Sequence, residues 1–417
     1  MVEFTVNGRT YPAPQEPVVV VCLDGCEPEY LERAIAAGAM PTVEQMMCEG
    51  TFALARSAIP SFTNPNNLSI ATGAPPSVHG ISGNFFHDSE SGEEVMMNDV
   101  RFLRAPTIFA AARESGLRVA VVTAKDKLRA LLGAGLDCSS GQAWCFSAER
   151  SGSTTKLANG IADAATWTGL PVPDVYSADL SEFVFASGTK LLREYSPDLM
   201  YLSTTDYVQH KYSPEESEAI EFCAMVDRYL NELDSAGAAI VVTADHGMKP
   251  KHGRDGAPIV VYLQDILDVW LGVGAARVIL PITDPYVVHH GSLGSFATIN
   301  FSPSVDPERT IAGLASLSGV DIAIGGNEAA RRFELPPDRI GDAVVISAEN
   351  TVLGTSEDRH QLDALDAPLR SHGGLSEQVV PFIVNRQINL EEAGLRNFDA
   401  FQIAARVAQT GVGDGKF

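Results

Sequence analysis

The chain has 417 residues, 45% hydrophobic and 20% charged, which excludes a disordered polymer and fits two or three domains, or one large domain with an insertion. Its formal charge of −23 and its shortage of clustered Lys and Arg argue against a nucleic-acid-binding face. No apolar run reaches the ~18 residues of a membrane span, and the opening MVEFTVNGRTYPAPQEP lacks the basic start and apolar stretch of a secretory signal, so a cytoplasmic location is expected.

Along the chain, a continuous apolar run is repeatedly followed at once by a polar cluster. Residues 17–24 read PVVVVCLD, 117–127 LRVAVVTAKDK, 197–206 PDLMYLSTTD, 238–246 AAIVVTADH and 379–385 VVPFIVN. Runs this apolar and this rich in β-branched residues are strands buried on both faces. Helical patterns lie between them, at 29–37, 107–115 and 215–236. The alternation predicts an α/β fold with a doubly wound, mostly parallel sheet flanked by helices, in which ligands bind beyond the carboxyl ends of the strands. Residues 256–367 differ in texture, with FATINF, IAGLASLSG, VDIAIGG and DAVVISA, and are expected to form a smaller inserted α+β cap on a core of 1–255 and 368–417. The tail GVGDGKF is expected to fray. The six cysteines, Cys22, Cys26, Cys48, Cys138, Cys145 and Cys223, contain no CxxC pair and read as buried thiols.

The polar clusters carry Asp24, Asp206 with His210, adjacent Asp245 and His246, and, in RSHGG, His372. Carboxylate and imidazole suit zinc and similar divalent ions. Three of each could supply two neighbouring sites, and two metals can clamp both sides of an in-line phosphoryl displacement. Each residue alone has a structural explanation: Asp24 as a cap or turn residue, Asp206 and His210 as a pair one helical turn apart, His372 as a loop histidine. The adjacent His289 and His290 read as surface or structural residues of the cap. In PSFTNPNNLSIATG, Asn64-Pro65 signals a turn and a helix is expected from Asn66 to Thr72, with Thr63 just before it. A hydroxyl there lies near free backbone N–H groups, either as a simple N-cap or, beside a metal, as a nucleophile.

Asp24, the T-x-P-N of Thr63 to Asn66, Asp206-x-x-x-His210, Asp245-His246-Gly247 and His372-Gly373 resemble the two-zinc core of the alkaline phosphatase superfamily, most closely its nucleotide pyrophosphatase/phosphodiesterase branch. The resemblance implies a threonine nucleophile and two zinc ions, with manganese, iron or cobalt also acceptable to such donors. It implies one ion on Asp24, Thr63, Asp245 and His246, and the other on Asp206, His210 and His372. It also makes Asn84, in HGISGNFF, the residue that binds a phosphoryl oxygen.

Within the branch the sequence is most similar to members that cleave the P–C bond of a small carboxylated phosphonate. Lys125 and Lys127 stand just past a strand; if the backbone stays extended they face the same way and can hold a carboxylate. Otherwise they are exposed and paired with Asp126 or Glu114. Expelling a carbanion requires its charge to spread into that carboxylate. The resemblance then implies attack by Thr63, departure of an enolate and hydrolysis of a phosphothreonine. The alternative is cleavage of a P–O bond. Family phosphodiesterases carry an aromatic residue where this chain has Asn64, although Phe62, Phe85 and Phe86 could form an apolar wall. Phosphomutase relatives are a further alternative, but no second phosphate site is visible. The expected partner is a small-molecule phosphonate, and a homodimer is compatible with an enzyme of this class.

Overall fold

The computed structural model describes residues 3–88, 91–282, 293–365, 367–391 and 393–410; His289, His290 and the tail 411–417 lie outside them. The apolar runs are strands: β1 (Val18–Cys22), β2 (Thr51–Arg56), β3 (Val119–Thr123), β4 (Ala143–Ser147), β5 (Leu199–Ser203) and β6 (Ala239–Thr243). After them come β7 (Ala276–Ile279), β8 (Phe296–Phe301), β9 (Val320–Gly325), β10 (Ala343–Ser347) and β11 (Val379–Val384). The large sheet has seven strands in the order β2-β11-β6-β1-β5-β3-β4, and only β11 runs against its neighbours. Every residue of β1, β3, β4, β5 and β6 is buried, which is why these strands lack an alternating pattern.

Helices flank that sheet: α1 (Pro28–Ala36), α2 (Thr63–Thr72), α3 (Ile108–Glu114), α4 (Asp126–Leu132), α5 (Tyr207–Lys211) and α6 (Ser217–Ser235). The expected helices at 29–37, 107–115 and 215–236 are α1, α3 and α6. Among the described residues no helix is long and apolar enough to cross a membrane. All six cysteines are free thiols; Cys48 is exposed and the others are buried.

Strand register brings the polar clusters together. Cys22 at the end of β1 stands level with Thr243 of β6 on one side and Ser203 of β5 on the other, and Ser203 stands level with Thr123 of β3. Asp24, Asp245, Asp206 and Lys125, each two or three residues further on, therefore leave the sheet at one edge.

Strands β7 to β10 make a second, antiparallel sheet in the order β7-β8-β10-β9, with an apolar core of its own. Ile59 and Phe62, which precede α2, pack into that second core. The chain before and after that second sheet is tied by a short antiparallel ribbon, Lys249–Pro250 against Arg370–Ser371. That ribbon brings His372 back beside Asp245 and His246.

Candidate metal centre

Asp24 leaves β1 with its backbone N–H bonded to Thr204 Oγ1 at 2.9 Å. Gly25 follows at φ +70°, and a Cβ there would lie 2.9 Å from Asp206 Cβ. Glycine is needed for the conformation and for the close approach of the two acidic turns. Asp206 precedes the single turn of α5, and the four-residue spacing places His210 Nε2 2.9 Å from Asp206 Oδ2. Asp245 is completely buried, its carboxylate accepting from the N–H of Gly25 (3.2 Å), the N–H of His246 (3.0 Å) and Asn67 Nδ2 (2.9 Å).

Thr63 is the first residue of α2 rather than the residue before it, and Phe62 is the N-cap. Pro65, expected in a turn, sits in the first helical turn, where a missing N–H costs nothing. Thr63 Oγ1 lies 3.3 Å from His246 Nε2. The preceding loop is pinned by Asn66, whose side chain accepts from Ala58 N and donates to the carbonyls of Ala58, Pro60 and Phe62.

Three histidines are aimed by backbone carbonyls. His210 Nδ1 lies 3.0 Å from the Arg370 carbonyl, His246 Nδ1 2.9 Å from that of Gly247, and His372 Nδ1 2.9 Å from that of Ser61. A carbonyl only accepts, so each Nδ1 carries the proton and each Nε2 is left for the interior. His372 Nε2 stands 3.8 Å from Asp206 Oδ2, and His246 Nε2 stands 3.3 Å from Asp24 Oδ1. The rings of His246 and His372 stack at 3.7 Å. Potential ligand atoms of Asp24, Asp245 and His246 lie within 4.8 Å of one another, as do those of Asp206, His246 and His372.

The charges ask for a cation. Burial, then Asp206 and Asp245, push the Asp24 carboxyl well above its usual range, and burial also raises Asp245. Burial opposes ionisation of Asp206 as well, but His210, His372 and His246 hold that carboxyl below the usual range. Burial opposes a charge on His246, yet Asp245, Asp24 and Asp206 hold it up at about 10. Burial, then His246 and His210, push His372 well down, into the neutral form that ligates metals. Asp24 Oδ1 is buried, with His246 Nε2 3.3 Å away. These observations fit a divalent cation in each half of the cluster.

The other expected residues lie on neighbouring loops. Asn84 is half-buried, its N–H bonded to the Pro281 carbonyl at 2.8 Å. Lys125 caps α4 and its Nζ donates to the Val175 carbonyl at 3.0 Å. The backbone turns helical at Asp126 rather than staying extended through Lys127, so strand alternation does not pair the two lysines, and Lys127 is exposed in the first turn. Leu128, Leu131 and Leu132, buried at helical spacing, are the reason. Asp126 pairs with Arg129.

Phe62 is 1% exposed, edge-on to both Phe296 and His372, and Phe86 packs edge-on to Phe102. Gly373, at φ +118°, makes room for Phe62, whose ring would come within 2.2 Å of a Cβ there.

Sequence reasoning missed Asn67, which stands one turn after Thr63. It donates to Asp245 and to the Thr63 carbonyl, and accepts from Tyr201 Oη (2.7 Å) and Ser203 Oγ (2.8 Å). Its only sequence signal is the i, i+4 spacing from Thr63. Also missed was Glu377, whose carboxylate accepts from Gly374 N and Lys251 Nζ, both at 2.9 Å, and whose carbonyl accepts from Gly247 N at 2.8 Å. It thus braces the loops carrying His246 and His372.

The mostly parallel sheet with an Asp/His cluster at its carboxyl edge defines a hydrolase of the alkaline phosphatase superfamily. The model of the type I phosphodiesterase / nucleotide pyrophosphatase family matches residues 18–358, and the chain belongs to that family. It is similar to phosphonoacetate hydrolase from Sinorhizobium meliloti 1021, solved with phosphonoformate, at 64% identity and a TM-score of 0.95, covering 98% of this chain and 99% of that one. The same enzyme solved with phosphonoacetate matches at 63% identity and a TM-score of 0.94, with the same coverage. Murine ectonucleotide pyrophosphatase / phosphodiesterase 5 shares the fold at 17% identity and a TM-score of 0.62, covering 94% of this chain and 95% of that one.

Proposed function

We propose that this chain hydrolyses the P–C bond of phosphonoacetate to acetate and phosphate, with Thr63 as nucleophile and two divalent cations, zinc by preference, in the cluster. The observation that carries the reaction class is the cluster of three carbonyl-pinned histidines and three buried aspartates, with His246 Nε2 3.3 Å from the Thr63 hydroxyl. The substrate follows from the 64% identity to a phosphonoacetate hydrolase over almost the whole chain. Asp24, Asp245, His246 and Thr63 would hold one ion, and Asp206, His210 and His372 the other. Bound cations would supply Lewis-acid charge that acidifies the threonine hydroxyl and neutralises phosphoryl oxygens.

Thr63 Oγ gives up its proton to solvent and forms the new bond to phosphorus as the P–C bond breaks. The electron pair goes to the departing carbon and spreads into the neighbouring carboxylate as an enolate, which a proton converts to acetate. Water then cleaves the phosphothreonine. Thr63 sits at the amino end of α2, where backbone N–H groups lack helical acceptors and favour the phosphoryl charge. Asn84 binds a phosphoryl oxygen. Lys125 and Lys127 attract the carboxylate, with Lys125 at the same sheet edge as the aspartates. The insertion, taken as 256–367, acts as a cap and supplies the Pro281 carbonyl that pins the Asn84 loop.

The test compares acetate and phosphate release from phosphonoacetate with hydrolysis of p-nitrophenyl diesters and monoesters by the metal-loaded protein. A clear preference in kcat/KM for phosphonoacetate supports the proposal. Turnover of the esters alone leaves the cluster and Thr63 in place and makes the protein a P–O hydrolase.

A further inference from the structure

His210 and His372 come from distant parts of the chain, and one residue binds both parts. Arg370 is 7% exposed. Its carbonyl accepts from His210 Nδ1 at 3.0 Å. Its Nε donates to the carbonyl of Gln209, the residue before His210, at 2.8 Å. Its Nη2 donates to Tyr30 Oη at 3.1 Å and to the Met248 carbonyl at 3.2 Å. Tyr30 Oη in turn donates to the Tyr212 carbonyl at 2.7 Å, just past the end of α5. His372 stands two residues further along the chain, just past the end of the short ribbon strand.

The short helix needs this support. Helix α5 spans only Tyr207–Lys211, far below the ~12–15 residues at which an isolated helix is even marginal. Its last carbonyls have no helical partners, and a cation at that end complements the helix dipole. Among the described residues Arg370 forms no ion pair, so a buried guanidinium is held by neutral acceptors at a desolvation cost. Asp24 and Asp245 are held by other groups: Thr204, Gly25, His246 and Asn67.

We infer that Arg370 is a positioning residue for one half of the cluster, setting His210 and His372 against Asp206 while leaving Asp24 and Asp245 unaffected. The inference rests on the two-cation reading above.

The test uses the full-length protein loaded with zinc and equilibrated against a series of zinc buffers, with bound metal counted by mass spectrometry. Wild type, Arg370→Lys, Arg370→Gln and Tyr30→Phe are compared. Asp206→Asn, loaded with cobalt, provides the absorption spectrum of a protein weakened in that half. Both Arg370 variants are expected to lose one equivalent at about 10–100-fold higher free zinc than wild type, the usual effect of removing a group that orients a ligand. The second equivalent is expected to hold, and the cobalt spectrum to move toward that of Asp206→Asn. Tyr30→Phe, which keeps the guanidinium, should shift the same equivalent by less, and it preserves the test if the Arg370 variants fail to fold. Equal weakening of both equivalents, or of neither, overturns the role assigned to Arg370. Fewer than two equivalents in wild type overturns the two-cation reading itself, and this inference with it.

Discussion

Replacing Lys251 with methionine removes the cation from a completely buried ion pair. Lys251 Nζ lies 2.9 Å from Glu377 Oε1, and both side chains are 0% exposed. The remaining Glu377 carboxylate would keep its bonds from Gly374 N and Ser376 Oγ but lose its charge partner. Leaving one member of such a pair uncompensated costs about 3–5 kcal/mol. For a chain of this length the unfolding entropy is about 0.9 kcal/mol per degree, so the midpoint should fall by roughly 3–6 °C. Glu377→Gln in the same background removes the stranded charge and should recover at least half of that loss. Differential scanning calorimetry of wild type, the single variant and the double variant reads this directly. A single variant within 1 °C of wild type, or a double variant less stable than the single, would refute the reasoning. Because Glu377 also bonds the loops of His246 and His372, metal affinity should weaken alongside stability.

Thr63→Ala should abolish turnover of phosphonoacetate while metal analysis still finds two equivalents; residual turnover near the wild-type rate removes Thr63 as nucleophile. Lys125→Ala with Lys127→Ala should reduce kcat/KM for phosphonoacetate at least tenfold more than for an aryl phosphodiester, and equal losses would end the carboxylate-binding role. His79 is completely buried, with Nε2 3.0 Å from Ser69 Oγ and Nδ1 accepting from Ile81 N, and burial pushes it down to about 3. Its folded value lies below the unfolded one of about 6.5, so its contribution is intact above pH 6.5 and is lost progressively as pH falls toward 3. His79→Gln should flatten the fall of stability over that window by up to about 1.4 kcal/mol per pH unit, and unfolding curves at pH 7, 6 and 5 with an unchanged slope would contradict this.

The sheet was legible in the sequence because its inner strands are wholly apolar and end in polar clusters. Asp24, Asp206 and Asp245 stand at the ends of adjacent parallel strands, so one register rule places them together. The reversed direction of β11 was not legible, since an apolar run reads the same both ways. The lysine geometry failed where a helix pattern overlapped the expected end of a strand: Leu128, Leu131 and Leu132 draw the backbone helical from Asp126. The residues that aim the cluster escaped notice for a different reason. Arg370 meets the Gln209 carbonyl across 161 residues, Asn67 meets Asp245 across 178, and Lys251 meets Glu377 across 126. The first of these reaches a main-chain carbonyl, which leaves no mark on residue type.

The most direct test of the central claim is a zinc anomalous-difference map from crystals of the zinc-loaded protein. The account predicts two peaks, one among Asp24, Thr63, Asp245 and His246 and the other among Asp206, His210 and His372. A single peak, or peaks away from these side chains, would contradict it.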